Sequence, residues 1–99
     1  MIVLTAIIRI QKGHEETVKK ELLKVANYAA KEEPGTIAFY CSQDPEDPTV
    51  FTTYERFRDR AAMDTHNNSE MVAAFFAVAK PLLDGDVIIQ ICEEIFASS

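Results

Sequence analysis

Two segments at opposite ends of the chain have apolar side chains on both faces of a strand, and this pattern constrains the fold more than any other feature. Residues 2–10 read Ile-Val-Leu-Thr-Ala-Ile-Ile-Arg-Ile, and residues 87–92 read Val-Ile-Ile-Gln-Ile-Cys. Both runs are short and rich in β-branched residues, which is typical of strands. An antiparallel sheet with one face in water alternates apolar and polar residues instead. Both faces of this sheet must therefore be covered.

The first half of the chain predicts a strand over residues 2–10, a helix over 14–32 and strands over 36–43 and 49–57. The helix is indicated by apolar residues at helical spacing, and Glu33-Pro34-Gly35 ends it, since Pro restricts the residue before it and Gly supplies unusual φ angles. The turn residues Asp44-Pro45-Glu46-Asp47-Pro48 separate the second and third strands closely enough to make them an antiparallel hairpin.

The second half predicts helices over residues 60–66 and 70–82 and a last strand over 87–96. Asp59 and Ser69 are good N-caps for the two helices. Pro81 should end or bend the second of them near Lys80. The resulting order, β-α-β-β-α-β, is the ferredoxin-like α+β pattern, and residues 1–99 are expected to form one domain with the helices on one face of the sheet.

Helices on one face leave the other face of the sheet uncovered. Most soluble oligomers are symmetric homodimers, so a second copy of the same sheet is the simplest cover. Two sheets packed face to face predict a dimeric α+β barrel, with a cavity near the centre of each sheet.

Charge and composition exclude several classes of partner. The formal net charge is −6, and the one basic stretch, Arg56–Arg60, contains Asp59, so we expect a solvated corner and no nucleic-acid surface. Met1 leads directly into the first strand with no basic leader, and no apolar run approaches the roughly 20 residues that cross a bilayer. We therefore expect a cytoplasmic protein without a membrane partner.

The two cysteines are expected to be buried thiols on strands. The ferredoxin-like strand order puts Cys41 and Cys92 on opposite sheet edges, about 14 Å apart at three strand spacings of roughly 4.8 Å. An intrachain disulfide is excluded at that separation.

Four groups of residues in fixed order resemble the antibiotic biosynthesis monooxygenase (ABM) family. These are Glu33-Pro34-Gly35, the Asp44-Pro45-x-Asp47-Pro48 turn, Phe51-x-x-Tyr54-Glu55-x-Phe57, and Asp59-x-x-Ala62-x-x-x-His66-x-x-Ser69. The resemblance covers nearly the whole chain. It departs from the family at Phe39, where a Tyr is common, and at Phe57, where a Trp is common.

The resemblance implies several activities. Members include cofactor-free monooxygenases of quinols and polycyclic aromatics, haem-degrading oxygenases, an isomerase of a phosphorylated compound and proteins without known activity. The haem-degrading members carry an axial His, and alignment through Asn68-Ser69 places Phe76 at that position. Phe cannot ligate iron, so haem is not expected.

His66 and Glu55 are the candidate catalytic residues. His66 shares the apolar face of Ala62 and Met63 and can serve as a base near neutral pH. The alternative is a structural imidazole bonded to the Asn67-Asn68-Ser69 corner. Glu55 lies mid-strand among apolar and Thr residues, where it could orient His66 or act as a second base; the alternative is an ion pair with Arg9 or Arg56.

Four aromatic residues are candidates for substrate contact. Tyr54 and Tyr40 could donate hydrogen bonds to a substrate oxygen, although many such tyrosines are core residues with a wet hydroxyl. Phe39 and Phe76 are assigned to the pocket wall. His14 is given no role. The histidines have no Cys or carboxylate at ligand spacing and the three glycines form no phosphate loop, so neither a metal nor a flavin or nucleotide is expected.

These observations predict a cofactor-independent monooxygenase that oxidises a small quinol or phenol with dioxygen in a homodimer. Two alternatives stay open at this point: an isomerase of a small carbonyl compound that uses the same acid–base pair, and a non-enzymatic ligand-binding or stress-related dimer.

Overall fold

The computed structural model describes residues 1–98 and contains one four-stranded antiparallel sheet with helices on one face. The strands are β1 (Ile2–Arg9), β2 (Thr36–Gln43), β3 (Val50–Phe57) and β4 (Ile88–Glu93), in the spatial order β2-β3-β1-β4. The helices are α1 (Glu15–Glu32), α2 (Arg60–Asn67) and α3 (Glu70–Ala79). The ferredoxin-like α+β prediction is confirmed, as is the placement of Cys41 and Cys92 on the two edge strands.

The predicted element boundaries differ from the structure mainly at the ends of the chain. The last strand ends at Glu93, three residues before the predicted end at Phe96. Helix α3 ends at Ala79 and is followed by one turn of 3₁₀ helix over Lys80–Leu82, because Pro81 cannot continue the α-helical hydrogen bonds. Asp59 and Ser69 cap α2 and α3 as predicted, accepting hydrogen bonds from the backbone N–H groups of Ala62 and Val72.

The turn before α1 uses a glycine for a backbone reason. Gly13 has φ +100°, a left-handed conformation that side chains other than glycine rarely adopt. Its backbone N–H donates to the Glu15 carboxylate in the first turn of α1, while His14 at the N-cap makes no side-chain capping bond. The Glu15 side chain therefore makes the hydrogen bond at the start of α1 that the His14 side chain does not make.

The core lies between the helices and one face of the sheet, called here the helix face. Residues of β1 and β3 on this face are paired with each other, as in Leu4 with Glu55 and Ala6 with Thr53. The buried apolar residues form two adjoining clusters: Ile8, Ile10, Val18, Leu22, Val25, Phe51, Phe75 and Ala79 in one, and Leu4, Ala6, Phe57, Ala62 and Met63 in the other.

The opposite face of the sheet, called here the open face, has no helix against it. The pairings Ile7 with Ile88 and Tyr40 with Tyr54 lie there. Every residue of β4 is exposed, which includes Cys92, so the prediction that Cys92 is a buried thiol is wrong. The cause is that β4 is an edge strand that pairs with β1 alone and lies outside the closely packed region under the helices.

None of the helices in residues 1–98 is both long enough and apolar enough to cross a bilayer.

Candidate functional site

A small, mostly apolar cavity lies between the helix face of the sheet and the helices. Its volume is about 70 Å³. The polar side chains in its wall are those of Thr53, Glu55, His66 and Asn67, and the aromatic ones are those of Phe39, Phe75 and Phe76. The remaining wall is aliphatic and comes from β1, α1, α3 and the start of β4: Leu4, Ala6, Ile8, Leu22, Val25, Val72, Val87 and Ile89.

His66 is the most deeply placed polar group in this wall. It follows Ala62 and Met63 by one turn of α2, and only 3% of its surface is exposed, so the predicted inward orientation is confirmed. Its ring lies between Phe39 and Phe57, with centroid distances of 5.4 and 5.3 Å. These two rings fix the plane of the imidazole.

Each ring nitrogen of His66 meets a carboxyl group. Nδ1 lies 2.7 Å from Oε1 of Glu33, and Nε2 lies 3.4 Å from Oε1 of Glu55. The Glu33 and Glu55 side chains are each only 7% exposed. With Glu33 ionised, the short contact places the ring proton on Nδ1, which donates to the carboxylate, and leaves Nε2 as the acceptor beside Glu55.

Glu33 is the site residue that the sequence interpretation missed. The local sequence at Glu33-Pro34-Gly35 predicts only a helix stop, and the same residues belong to the family resemblance. The structure shows why the glycine matters: a Cβ on Gly35 would lie 2.6 Å from Cβ of Ala62 in α2. The absent side chain lets α2 approach the end of α1, and this approach brings His66 within reach of Glu33.

Thr36, at the start of β2, also forms a hydrogen bond with Glu33. Its hydroxyl donates to Oε1 of Glu33 at 2.9 Å. The pairing register between β2 and β3 shifts between Thr36 and Ala38, which leaves Ile37 as an extra residue. A bulge of this kind redirects side chains and is common beside functional sites. Here it allows Thr36 to reach Glu33 while Phe39 still faces the cavity.

Glu55 is held on β3 by its neighbour on the same face. The Thr53 hydroxyl donates to Oε2 of Glu55 at 2.7 Å. Burial raises the pKa of Glu55 above its ordinary value of 4.5; the Thr53 hydrogen bond and the His66 ring oppose this increase, and the Glu33 carboxyl adds to it. Cys41, also on the helix face, has its pKa raised to about 11 by burial and by Glu55, so its thiol stays protonated near neutral pH.

The raised pKa of Glu55 predicts a pH dependence of stability. A carboxyl whose folded-state pKa lies above its unfolded-state value stabilises the fold below the unfolded value, and this contribution is lost as pH rises through the folded value. We expect wild type to lose free energy of unfolding relative to E55Q as pH increases above 4.5. Urea unfolding of both proteins across that range measures the difference. The groups that face Glu55, namely His66, Glu33 and Cys41, are the same in both, and parallel pH profiles would contradict the prediction.

The structure separates the six predicted site residues into two groups. His66, Glu55, Phe39 and Phe76 all line the cavity. Tyr40 and Tyr54 lie on the open face, with ring centroids 6.4 Å apart, and the sheet stands between them and His66. Residue alternation along a strand explains this, since Tyr54 follows Thr53 and precedes Glu55, both of which face the helices.

Both structural alternatives for the histidine and the glutamate differ from what is observed. The His66 side chain bonds Glu33 and does not bond the Asn67-Asn68-Ser69 corner. In residues 1–98, Glu55 forms no ion pair with Arg9 or Arg56; Arg56 instead makes two hydrogen bonds with Glu94, at 2.8 and 3.0 Å. Arg56 lies on the open face and is therefore directed away from Glu55.

The donor set does not suit a metal ion. Within the described residues, no three His, Cys, Asp or Glu side chains are grouped so that they could hold one. The nearest approach is His66 with its two carboxyls, but Glu33 and Glu55 sit on opposite ring nitrogens and cannot converge with the imidazole on a single ion.

Solved structures with the same fold include proteins from several organisms. A protein from Nitrosomonas europaea that carries the ABM family name superposes with a TM-score of 0.91 at 19% identity, covering 97% of this chain and 100% of that one. A protein from Pseudomonas aeruginosa has a TM-score of 0.86 at 28% identity, with coverage of 96% and 94%. One from Mycobacterium tuberculosis has a TM-score of 0.89 at 17% identity, with coverage of 99% and 98%.

Sequence comparison supplies the family. A search of curated proteins gives no significant match. The sequence model of the family described as antibiotic biosynthesis monooxygenase matches residues 1–78, which include Glu33, Glu55 and His66. The chain therefore belongs to the antibiotic biosynthesis monooxygenase family.

Proposed function

We propose that this protein is a cofactor-independent monooxygenase that oxidises a small quinol or phenol with dioxygen. The observation that carries the proposal is the buried imidazole with a carboxyl group at each nitrogen, set in the wall of an otherwise apolar cavity. A positioned base in a site closed to water can remove a phenolic proton and favour the anion, which is the form that gives an electron to oxygen. Membership in a family named for monooxygenases supports the reaction class.

The reaction balances without an added reductant. Nε2 of His66 takes the hydroxyl proton of the quinol, and the quinolate transfers one electron to O₂, giving a semiquinone radical and superoxide. The two radicals combine at a ring carbon to form a peroxide, which takes the proton back from His66. The O–O bond then breaks as the proton on that carbon leaves, so that one oxygen atom becomes a carbonyl and the other leaves as water.

Each residue of the site has a role that follows from its position. Glu33 holds the ring proton on Nδ1 and keeps Nε2 directed at the cavity. Glu55, whose pKa is raised by burial, can donate a hydrogen bond to the peroxide while it is protonated. Phe39 and Phe76 provide apolar walls for a ring. Tyr40 and Tyr54 have no part in this cavity, since they lie on the open face.

The small volume of the cavity limits the substrate to a single ring. An engineered apolar cavity of about 150 Å³ accommodates benzene, whereas this one measures about 70 Å³. Entry of even one ring therefore requires side chains at the rim to move. Ile89, which is 51% exposed, and the partly buried Phe76 are among the lining residues that are not tightly enclosed.

A methyl-substituted 1,4-benzoquinol tests the function. We expect oxygen uptake above the spontaneous rate, with one O₂ consumed per quinol and no reductant, metal, haem or flavin added. With ¹⁸O₂, one labelled atom should appear in the hydroxyquinone product and the other in water. Uptake no faster than in buffer, or hydrogen peroxide as the only reduced product, would contradict a monooxygenase. A bound but unconverted quinol would favour a ligand-binding protein.

We further propose that the working form is a homodimer in which the open faces of two sheets pack together. The open face carries Tyr40 and Tyr54, which are 61% and 42% exposed, beside Ile88, which is 52% exposed. Past β4, Ile95 and Phe96 have almost no cover within the chain. A second copy would remove these exposed apolar side chains from water. The cavity stays within each chain, on the helix face, so the dimer supports the site without forming its walls.

A further inference from the structure

A second hollow lies on the outer surface, where the end of α1 meets α2. Its volume is about 410 Å³, and its wall includes Glu32, Glu33, Arg58, Thr65 and Glu70. Glu33 belongs to the wall of this outer hollow and not to that of the cavity, whereas His66 and Glu55 belong to the cavity wall and not to that of the hollow. The contact between Glu33 and Nδ1 of His66 therefore connects the two spaces.

The two oxygens of Glu33 are placed differently. Oε1 accepts hydrogen bonds from the Thr36 hydroxyl and from Nδ1 of His66. Oε2 is buried and has no hydrogen-bond partner among residues 1–98. An unpartnered buried oxygen of this kind costs stability. Glu33 thus contacts the imidazole through Oε1 and also lines the outer hollow, and these are the two contacts that a proton path between the two spaces requires.

We propose that Glu33, His66 and Glu55 form a proton relay between the cavity and the outer hollow. The inference rests on the proposed function only in the identity of the proton donor, which is the quinol. A proton taken up at Nε2 allows the Nδ1 proton to pass to Oε1 of Glu33, from which it exchanges with water in the outer hollow. Glu55, 3.4 Å from Nε2, is the cavity end of the relay.

The relay returns to its starting state without rotation of the ring. The outward transfer leaves the imidazole with its proton on Nε2 and Glu33 protonated. When the peroxide needs a proton, Nε2 gives it up, and the Glu33 carboxyl restores the proton on Nδ1. The proton that Nε2 takes from the quinol goes to the peroxide, and Nδ1 regains from Glu33 as many protons as it gave up, so the number of protons is conserved. This suits a ring that Phe39 and Phe57 hold in one plane.

The relay is tested by exchange of the Nδ1 proton of His66 with water, measured by NMR on ¹⁵N-labelled protein without substrate. Because the ring is 3% exposed, exchange by direct contact with water should be slow. E33Q keeps an oxygen that can accept from Nδ1 but cannot take a proton, so we expect exchange to slow on the order of 10²-fold, the usual worth of a positioned proton acceptor. E32Q, a neighbouring change on the same hollow, should exchange like wild type.

A second variant separates proton transfer from geometry. E33D keeps an ionisable carboxyl on a shorter side chain, and its Nδ1 proton should exchange faster than that of E33Q. Equally slow exchange in both variants, or unchanged exchange in E33Q with the α2 amide signals in place, would overturn the relay. These measurements need no turnover. If the protein fails to oxidise quinols but shows the expected exchange, the proposed function is wrong and the relay is still supported.

Discussion

Replacement of His66 by alanine is expected to lower the turnover of a benzoquinol by about 10²–10⁴-fold, the range that a positioned general base contributes. The reason is positional. His66 is the only histidine in the cavity wall, and its Nε2 faces the space where the substrate hydroxyl would lie. Glu55 lies 3.4 Å away and cannot occupy the vacated position from β3. Steady-state oxygen uptake with the quinol measures the effect.

Two further variants make the result interpretable. His14 is the other histidine of the chain, and it stands at the start of α1, so H14A should match wild type. H66A also leaves the buried Glu33 carboxylate without its donor, which should lower the melting temperature. H66Q retains a side-chain amide that can donate to Glu33 but cannot act as a base. A folded H66Q with wild-type turnover would remove His66 from the mechanism and leave Glu55 as the candidate base.

Light scattering at micromolar concentration is expected to give about twice the chain mass of 11.1 kDa. Substituting Ile88 by glutamate should reduce the value to a single chain, because the charge would be buried where Ile7 and Ile88 of one open face meet the other copy. L23E introduces the same charge at an exposed apolar position on the outer side of α1 and should remain a dimer. A wild-type mass of one chain would contradict the homodimer, and a dimeric I88E would contradict the open face as its interface.

The same variant also tests whether the cavity belongs to the single chain. In the sequence interpretation, the cavity was placed between two facing sheets of a barrel. The structure instead places a cavity on the helix face, between the sheet and the helices. A folded I88E monomer should therefore retain the contact between His66 and Glu33, which the ¹⁵N chemical shifts of the imidazole ring report directly.

Local features of the sequence predicted the elements and their order. Apolar periodicity located α1, and the turn at Asp44–Pro48 specified the hairpin, since these signals depend on residues a few positions apart. Inward orientation of His66 also followed from local spacing, because Ala62, Met63 and His66 share one side of α2. The position of the last strand was predicted, but its end was not, because β4 ends at Glu93, opposite Ile2, where its partner β1 begins.

What the sequence left undecided depended on contacts between distant residues. Whether Glu55 would meet an arginine or His66 could not be settled from β3 alone, because either partner is compatible with a half-buried carboxyl on a strand. The prediction groups Tyr40 and Tyr54 with His66 because their hydroxyls could donate hydrogen bonds to a substrate oxygen. Only the direction of the pleat, set by the burial of Thr53 and Glu55 under the helices, placed the tyrosines on the other face.

The sequence by itself determined the ferredoxin-like fold, the family and a histidine directed into the core. The tertiary structure alone decided that Glu33 is the partner of that histidine. The two residues are 33 positions apart, and their contact requires α2 to pack against Gly35 at a distance that no side chain at that position would allow. A helix-stop motif carries no local sign of such a contact, because its physical cause is the close approach of two elements that the chain brings together only on folding.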